Sequence, residues 1–226
     1  IGPAVTYCFG QSARHPSWLA KASVTVDHLS GGRLDLRLGV GSGDSAAAQA
    51  WLAHGIDYPE GRDRVACLAE GIEVIKALWT GSPVDLTGEF FSLKDARLEP
   101  RPLQASAPPI WVAAMGARAL GVAARRAEGW EASYLAPPAF AGKWTELQAL
   151  MKREGRKPET MRRSVEVDVV IGREDAAVDG ARQRFCRQRG ITPDHALLET
   201  ALVGTPDAVL RRIAQYEGAG ATDLMC

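Results

Sequence analysis

Strand-like and helix-like runs alternate along all 226 residues, and that rhythm restricts the possible folds more than any single motif does. A strand that leads into a helix and then into another strand crosses over one face of a sheet, so repetition of the unit gives parallel strands covered by helices. The strand candidates are residues 4–8, 34–40, 109–114, 130–134, 165–171 and 222–226. Between them apolar residues recur at steps of three and four, as in Val65, Leu68, Ile72, Ile75 and Leu78, and again in Phe140, Trp144, Leu147 and Leu150. Such spacing lays one apolar stripe along a helix. Thr205-Pro206-Asp207 supplies an N-cap and a proline at the first helical position, and Gly218 and Gly220 close that helix.

The segment 80–109 breaks the rhythm. Gly81, Pro83, Gly88, Pro100, Pro102, Pro108 and Pro109 punctuate it, leaving room for a short hairpin around Gly88 and no helix. Insertions of this length in compact enzymes usually serve function, so it is expected at the mouth of the active site.

With 46% hydrophobic residues the chain can bury a sizeable core, and one domain over residues 1–226 is expected. Twenty-seven basic side chains balance twenty-seven acidic ones, so no net field draws nucleic acid or an anionic membrane. No apolar run approaches the roughly 18 to 20 residues that span a bilayer. A soluble, cytoplasmic protein with a small-molecule substrate is expected, with a homodimer as its assembly. Cys8, Cys67, Cys186 and Cys226 and the histidines His15, His28, His54 and His195 are scattered, which argues against a metal site.

Two strand-to-helix turns carry chemistry. Leu38-Gly39-Val40-Gly41-Ser42-Gly43-Asp44 ends a strand and opens an alanine-rich helix. Its glycines let a flat ring approach the backbone, although the same residues also make a plain tight turn with Asp44 as N-cap. Trp111-Val112-Ala113-Ala114-Met115-Gly116-Ala117-Arg118 runs from a strand into a second helix. The positive end of that helix, with Arg118 in its first turn, suits a phosphate, the alternative being ordinary packing with Arg118 on the surface. Arg62 and Arg64 precede a strongly amphipathic pattern and read either as an anion contact or as a solvated pair.

The order His15-Pro16, Leu19-Ala20-Lys21, Val26-Asp27-His28-Leu29-Ser30-Gly31-Gly32-Arg33 and the glycine strand resembles the luciferase-like monooxygenase superfamily. Gly55-Ile56-Asp57, Leu78-Trp79-Thr80-Gly81, Pro108-Pro109-Ile110-Trp111, Glu128-Gly129-Trp130 and Val203-Gly204-Thr205-Pro206 continue the match over nearly the whole chain. The resemblance implies a (β/α)8 TIM barrel of the bacterial-luciferase type. Six strand candidates and a start at Ile1-Gly2-Pro3 give the expectation that the first two βα units and the last helix are absent.

The same resemblance implies a flavin-type cofactor. Gly41-Ser42-Gly43-Asp44 and Ala113-Ala114-Met115-Gly116-Ala117 look like the branch that uses the deazaflavin coenzyme F420 for hydride transfer. An FMN-dependent monooxygenase using reduced flavin and oxygen is the alternative, and a truncated, non-catalytic barrel acting as an assembly partner is a further one. By carry-over from the family, Ala4, Val5, Ser42 and Gly43 would cradle the ring, with a bulge or cis peptide at Ala4-Val5. Ala113, Ala114, Met115, Gly116, Ala117 and Arg118 would hold the phosphate, and Asp44 would be the catalytic carboxyl. His15 and His28 would start and close a helix rather than act on substrate.

Overall fold

The computed structural model describes the backbone of residues 4–7 and residues 14–226 in full. The chain divides into two compact units, Ile1–Gly129 and Trp130–Cys226. Each is an α/β arrangement with parallel strands, as the alternation requires.

In the first unit β1 (Ala4–Tyr7) pairs in parallel with β2 (Leu36–Gly39), and β2 pairs in parallel with β5 (Ile110–Ala113). Leu36 and Leu38 are buried, and so are Ile110 and Val112 opposite them. Arg37 and Trp111, which point to the other face, are buried too, and the Arg37 guanidinium lies 4.1 Å from the centre of the Trp111 ring. Burial on both faces explains why these strands read as near-continuous apolar runs.

Helix α1 (Pro16–Ser30) follows β1 and starts at His15, whose Nδ1 accepts the N–H of Ser17 at 3.2 Å. It stops because Gly31 turns left-handed at φ 66°, and the N–H groups of Gly31 and Gly32 bond back to the carbonyls of His28 and Asp27. The LSGGR element is thus a helix stop, and His15 and His28 stand where the resemblance puts them. Helix α2 (Ser45–Ala53) follows β2, and α3 (Gly61–Trp79) then returns along the sheet with Leu68, Ile72, Ile75 and Leu78 buried. Helix α4 (Ala117–Arg126) follows β5.

The segment after α3 forms the expected hairpin, β3 (Val84–Thr87) with β4 (Ser92–Ala96). The Glu70 carboxylate of α3 accepts the N–H groups of Glu89, Phe90 and Phe91 at 3.0, 3.1 and 2.7 Å, which fixes the turn on the helix. The proline-rich half is placed differently from expectation. Asp27 accepts the N–H of Leu103 at 2.7 Å and of Gln104 at 3.1 Å, His28 Nε2 meets the Arg101 carbonyl at 2.8 Å, and the Leu36 N–H bonds to the Pro109 carbonyl. These anchors lie at the end of α1 and the starts of β2 and β5. Residues 100–109 are therefore held at the N-terminal ends of the strands, not at the mouth, because a segment joining a helix to the next parallel strand must re-enter the sheet from that end.

The second unit opens within β6 (Gly129–Ser133), and β6, β7 (Arg162–Glu166) and β10 (Asp223–Met225) lie side by side, with β7 and β10 parallel. Trp130 stacks on Phe140 and Trp144 of helix α5 (Pro137–Arg153) at ring separations of 5.0 and 6.4 Å. The run expected as one strand over 165–171 is two. After β7, Val167 still bonds to Met225, but the Asp168 carbonyl accepts from Leu202, and β8 (Val169–Ile171) pairs with β9 (Leu202–Gly204) in a separate sheet. Helix α6 (Asp175–Arg189) and the single turn α7 (Leu197–Thr200) lie between β8 and β9. Helix α8 (Pro206–Gly218) starts at Thr205 with Pro206 in its first turn, as its sequence predicts.

Candidate cofactor site

Both chemistry-bearing turns leave the C-terminal ends of neighbouring strands in the first unit. Gly39 of β2 pairs with Ala113 of β5, and Tyr7 of β1 pairs with Gly39 on the other side, so the three strands end level. In parallel α/β proteins this end carries the site, since each strand leads there into a loop and the N-terminus of a helix.

The first turn is built around Gly41, left-handed at φ 75°, a conformation that favours glycine. Ser42 Oγ accepts the N–H of Asp44 at 3.0 Å, and Asp44 Oδ1 accepts the N–H of Ala46 at 2.9 Å. Asp44 is thus the N-cap of α2, the rival role foreseen for it, and remains exposed to solvent. Among the described residues, a Cβ placed on Gly43 would meet nothing within 4 Å, which leaves that backbone open to a flat partner.

The second turn is open in the same way. Ala114 is buried, whereas Met115, Gly116, Ala117 and Arg118 are exposed, and a Cβ on Gly116 would also meet nothing within 4 Å. Gly116 is the N-cap of α4, a residue with no side chain to cap the helix, and the first turn carries no acidic residue. The N–H groups there, with the exposed Arg118 in the first turn, suit an anionic group. Ala4 and Val5 lie on β1 beside Leu36 and Arg37. The register runs one-to-one from Ala4 to Tyr7, so the bulge expected at Ala4-Val5 does not interrupt this pairing; the side chains of both residues and the expected cis peptide lie outside the described residues.

One arginine lies differently from expectation. Arg62 is exposed and pairs with Asp63 at 3.0 Å, as a solvated arginine does, but Arg64 is buried. Arg64 lies within α3 rather than before it, donates from Nε to the Val40 carbonyl at 2.8 Å and from Nη2 to the Ser42 carbonyl at 3.0 Å, and also bonds to the Pro59 carbonyl through Nη1. Its guanidinium stacks 4.1 Å from the centre of the Tyr58 ring, and the Tyr58 hydroxyl donates to the same Ser42 carbonyl. A signal for this was present: Arg64 falls four residues before Leu68 on the stripe that continues through Ile72 and Ile75. A charge on an apolar face points inward and must find polar partners there.

Residues 1–191 match the family model for luciferase-like monooxygenases. The chain belongs to that family. Among its relatives, an F420-dependent glucose-6-phosphate dehydrogenase of Beutenbergia cavernae is 39% identical over 117 residues, 51% of this chain. An F420-dependent hydroxymycolic acid dehydrogenase of Mycobacterium tuberculosis is 33% identical over 175 residues, 74% of this chain. The matched stretches span only 32% and 44% of those relatives' own lengths. A solved coenzyme F420 dependent tetrahydromethanopterin reductase from Methanopyrus kandleri superposes with a TM-score of 0.80 at 20% identity, covering 98% of this chain and 75% of its own. At that identity the likeness carries the fold alone, the luciferase-like (β/α)8 type. Among the described residues no helix is long and apolar enough to cross a membrane.

Proposed function

We propose that this chain carries the cofactor-binding part of an oxidoreductase that moves a hydride between coenzyme F420 and an organic substrate. The observation that carries the reading is the pair of open turns at the level ends of β2 and β5, one free of crowding at Gly43 among the described residues and the other presenting the glycine-capped N-terminus of α4. Relatives whose names specify F420-dependent dehydrogenases support the choice of cofactor.

The residues present fit such a group. Ser42, Gly43 and the backbone of Ala4 and Val5 would face the ring, while Ala113 to Ala117 and Arg118 would hold its phosphate. Bound there, the deazaflavin supplies a carbon that accepts or gives the hydride. The protein would position that carbon and offer Asp44 as the carboxyl for a proton.

Titration of the full-length protein with F420 and with FMN, followed by fluorescence quenching, tests the proposal. Saturable F420 binding with weak or absent FMN binding is expected. Tight FMN binding with indifference to F420 would establish the flavin monooxygenase reading instead, and indifference to both would favour a non-catalytic barrel.

A further inference from the structure

The geometry points to Arg64 as a positioning residue that sets the shape of the cofactor turn through a fork of hydrogen bonds across Gly41, with Tyr58 as its second jaw. The inference rests on the proposed function for the identity of the ligand, and on the structure alone for the clamp.

Two carbonyls flank the left-handed glycine. Val40 accepts from Arg64 Nε at 2.8 Å and Ser42 from Arg64 Nη2 at 3.0 Å, so one rigid guanidinium spans the turn. Ser42 accepts a second bond from the Tyr58 hydroxyl, and the Tyr58 ring covers the guanidinium face. A third bond from Arg64 to the Pro59 carbonyl ties in the loop that leads to α3. Arg64 is 6% exposed, so these bonds form where water competes little.

The consequence is directional. With the carbonyls of Val40 and Ser42 engaged by α3, the Val40–Gly41 and Ser42–Gly43 peptide planes cannot rotate independently. The Ser42 and Gly43 backbone is then ordered before ligand arrives, which lowers the cost of binding. Planarity matters here as well as charge. A lysine ammonium keeps the charge but lacks the fixed fork that bonds two carbonyls at once. The clamp also explains why a cation sits on the apolar face of α3: it is placed to meet backbone carbonyls rather than solvent.

The test compares wild type with Arg64→Lys, Arg64→Gln, Tyr58→Phe and the exposed control Arg62→Gln in the full-length protein. Hydrogen exchange at the amides of Asp44 and Ala46, both bonded within the turn, reports its order without any cofactor. Exchange at these amides is expected to rise by roughly tenfold or more in both Arg64 variants, less in Tyr58→Phe and not in Arg62→Gln. The F420 dissociation constant is expected to rise in the same order. Unchanged exchange in Arg64→Gln, or full rescue of exchange and affinity by Arg64→Lys, overturns the clamp. Should the Arg64 variants fail to fold, Tyr58→Phe decides, and wild-type exchange there overturns the proposal. If wild type ignores F420, the proposed function fails while the exchange data still decide the clamp.

Discussion

The carboxylate of Asp27, on the last turn of α1 and fully buried, accepts the N–H of Leu103 at 2.7 Å across 76 residues of chain. It also accepts the N–H of Gln104 at 3.1 Å and the Gln104 side-chain amide at 2.8 Å, and that amide donates in turn to the Leu34 carbonyl. One side chain thus closes the helix region that precedes β2 against the segment that precedes β5. Asp27→Ala leaves buried donors without an acceptor, and a loss of about 3 kcal/mol is expected. Urea denaturation measures it, and limited proteolysis should show new cleavage within residues 100–109. A stability within about 0.5 kcal/mol of wild type would contradict this account.

Gly129 and Gly116 should respond oppositely to alanine. A Cβ at Gly129 would enter the space of the fully buried Trp111 indole, so Gly129→Ala is expected to cost about 2 to 3 kcal/mol by overpacking. Gly116 faces open space at φ −88°, which alanine also adopts, so Gly116→Ala should change stability by less than about 1 kcal/mol. Its methyl would nevertheless stand where the phosphate is proposed to approach. Thermal melts together with F420 titration separate the two effects: Gly129→Ala lowers Tm, and Gly116→Ala weakens binding with Tm nearly unchanged.

Tyr216 gives the stability an alkaline limit. Burial pushes its phenol above the ordinary tyrosine range, with Arg212 partly opposing. The folded state therefore holds the phenolic proton more tightly than the unfolded chain does. The stability linked to this is fully present below the usual value of about 10 and is lost as pH rises through the folded value. In Tyr216→Phe that part of the alkaline loss should vanish. Near pH 7 the variant should be less stable by about 1 kcal/mol, because the hydroxyl lies within hydrogen-bonding distance of the Leu135 carbonyl at 2.9 Å and the Thr200 carbonyl at 2.6 Å. Thermal midpoints from pH 7 to 11 for the two proteins check both signs; parallel curves would refute the linkage.

Asp44 can be separated into its two roles by choice of substitution. Asparagine caps a helix about as well as aspartate, so Asp44→Asn should keep α2 and the stability of the unit. If Asp44 handles a proton beside the cofactor, the turnover of F420 with substrate should fall by roughly a hundredfold while F420 affinity holds. Asp44→Ala should lose about 1 kcal/mol of stability as well, since the bond to the Ala46 N–H goes with it. Full turnover in Asp44→Asn would leave the residue as an N-cap and nothing more.

Local patterns made much of this legible. Pro206 and Gly31 mark helix boundaries through backbone chemistry that needs no distant partner, and the stripe from Val65 to Leu78 identifies α3 by its period. Where distant partners decide, the same reading failed. Nothing local in Val165 to Ile171 says that bonding passes from Met225 to Leu202 at Asp168, and β9 is only three residues long. The prolines of 100–109 announced an irregular segment, but the residues that hold it, Asp27 and His28, lie more than 70 positions earlier.

The candidate site divides along the same line. Sequence alone determined the parallel α/β class, the two glycine-bearing turns and the N-capping capacity of Asp44, because each follows from the backbone freedom or the side-chain reach of neighbouring residues. Only the tertiary structure decided that Gly39 and Ala113 end their strands side by side, which brings the two turns to one end of the sheet. It alone decided that Arg64 turns inward to grip Val40 and Ser42 rather than outward to solvent. Hydrogen bonds over 22 and 24 residues depend on how a helix packs on a sheet, and that packing is the sum of many weak contacts that no short stretch of sequence contains.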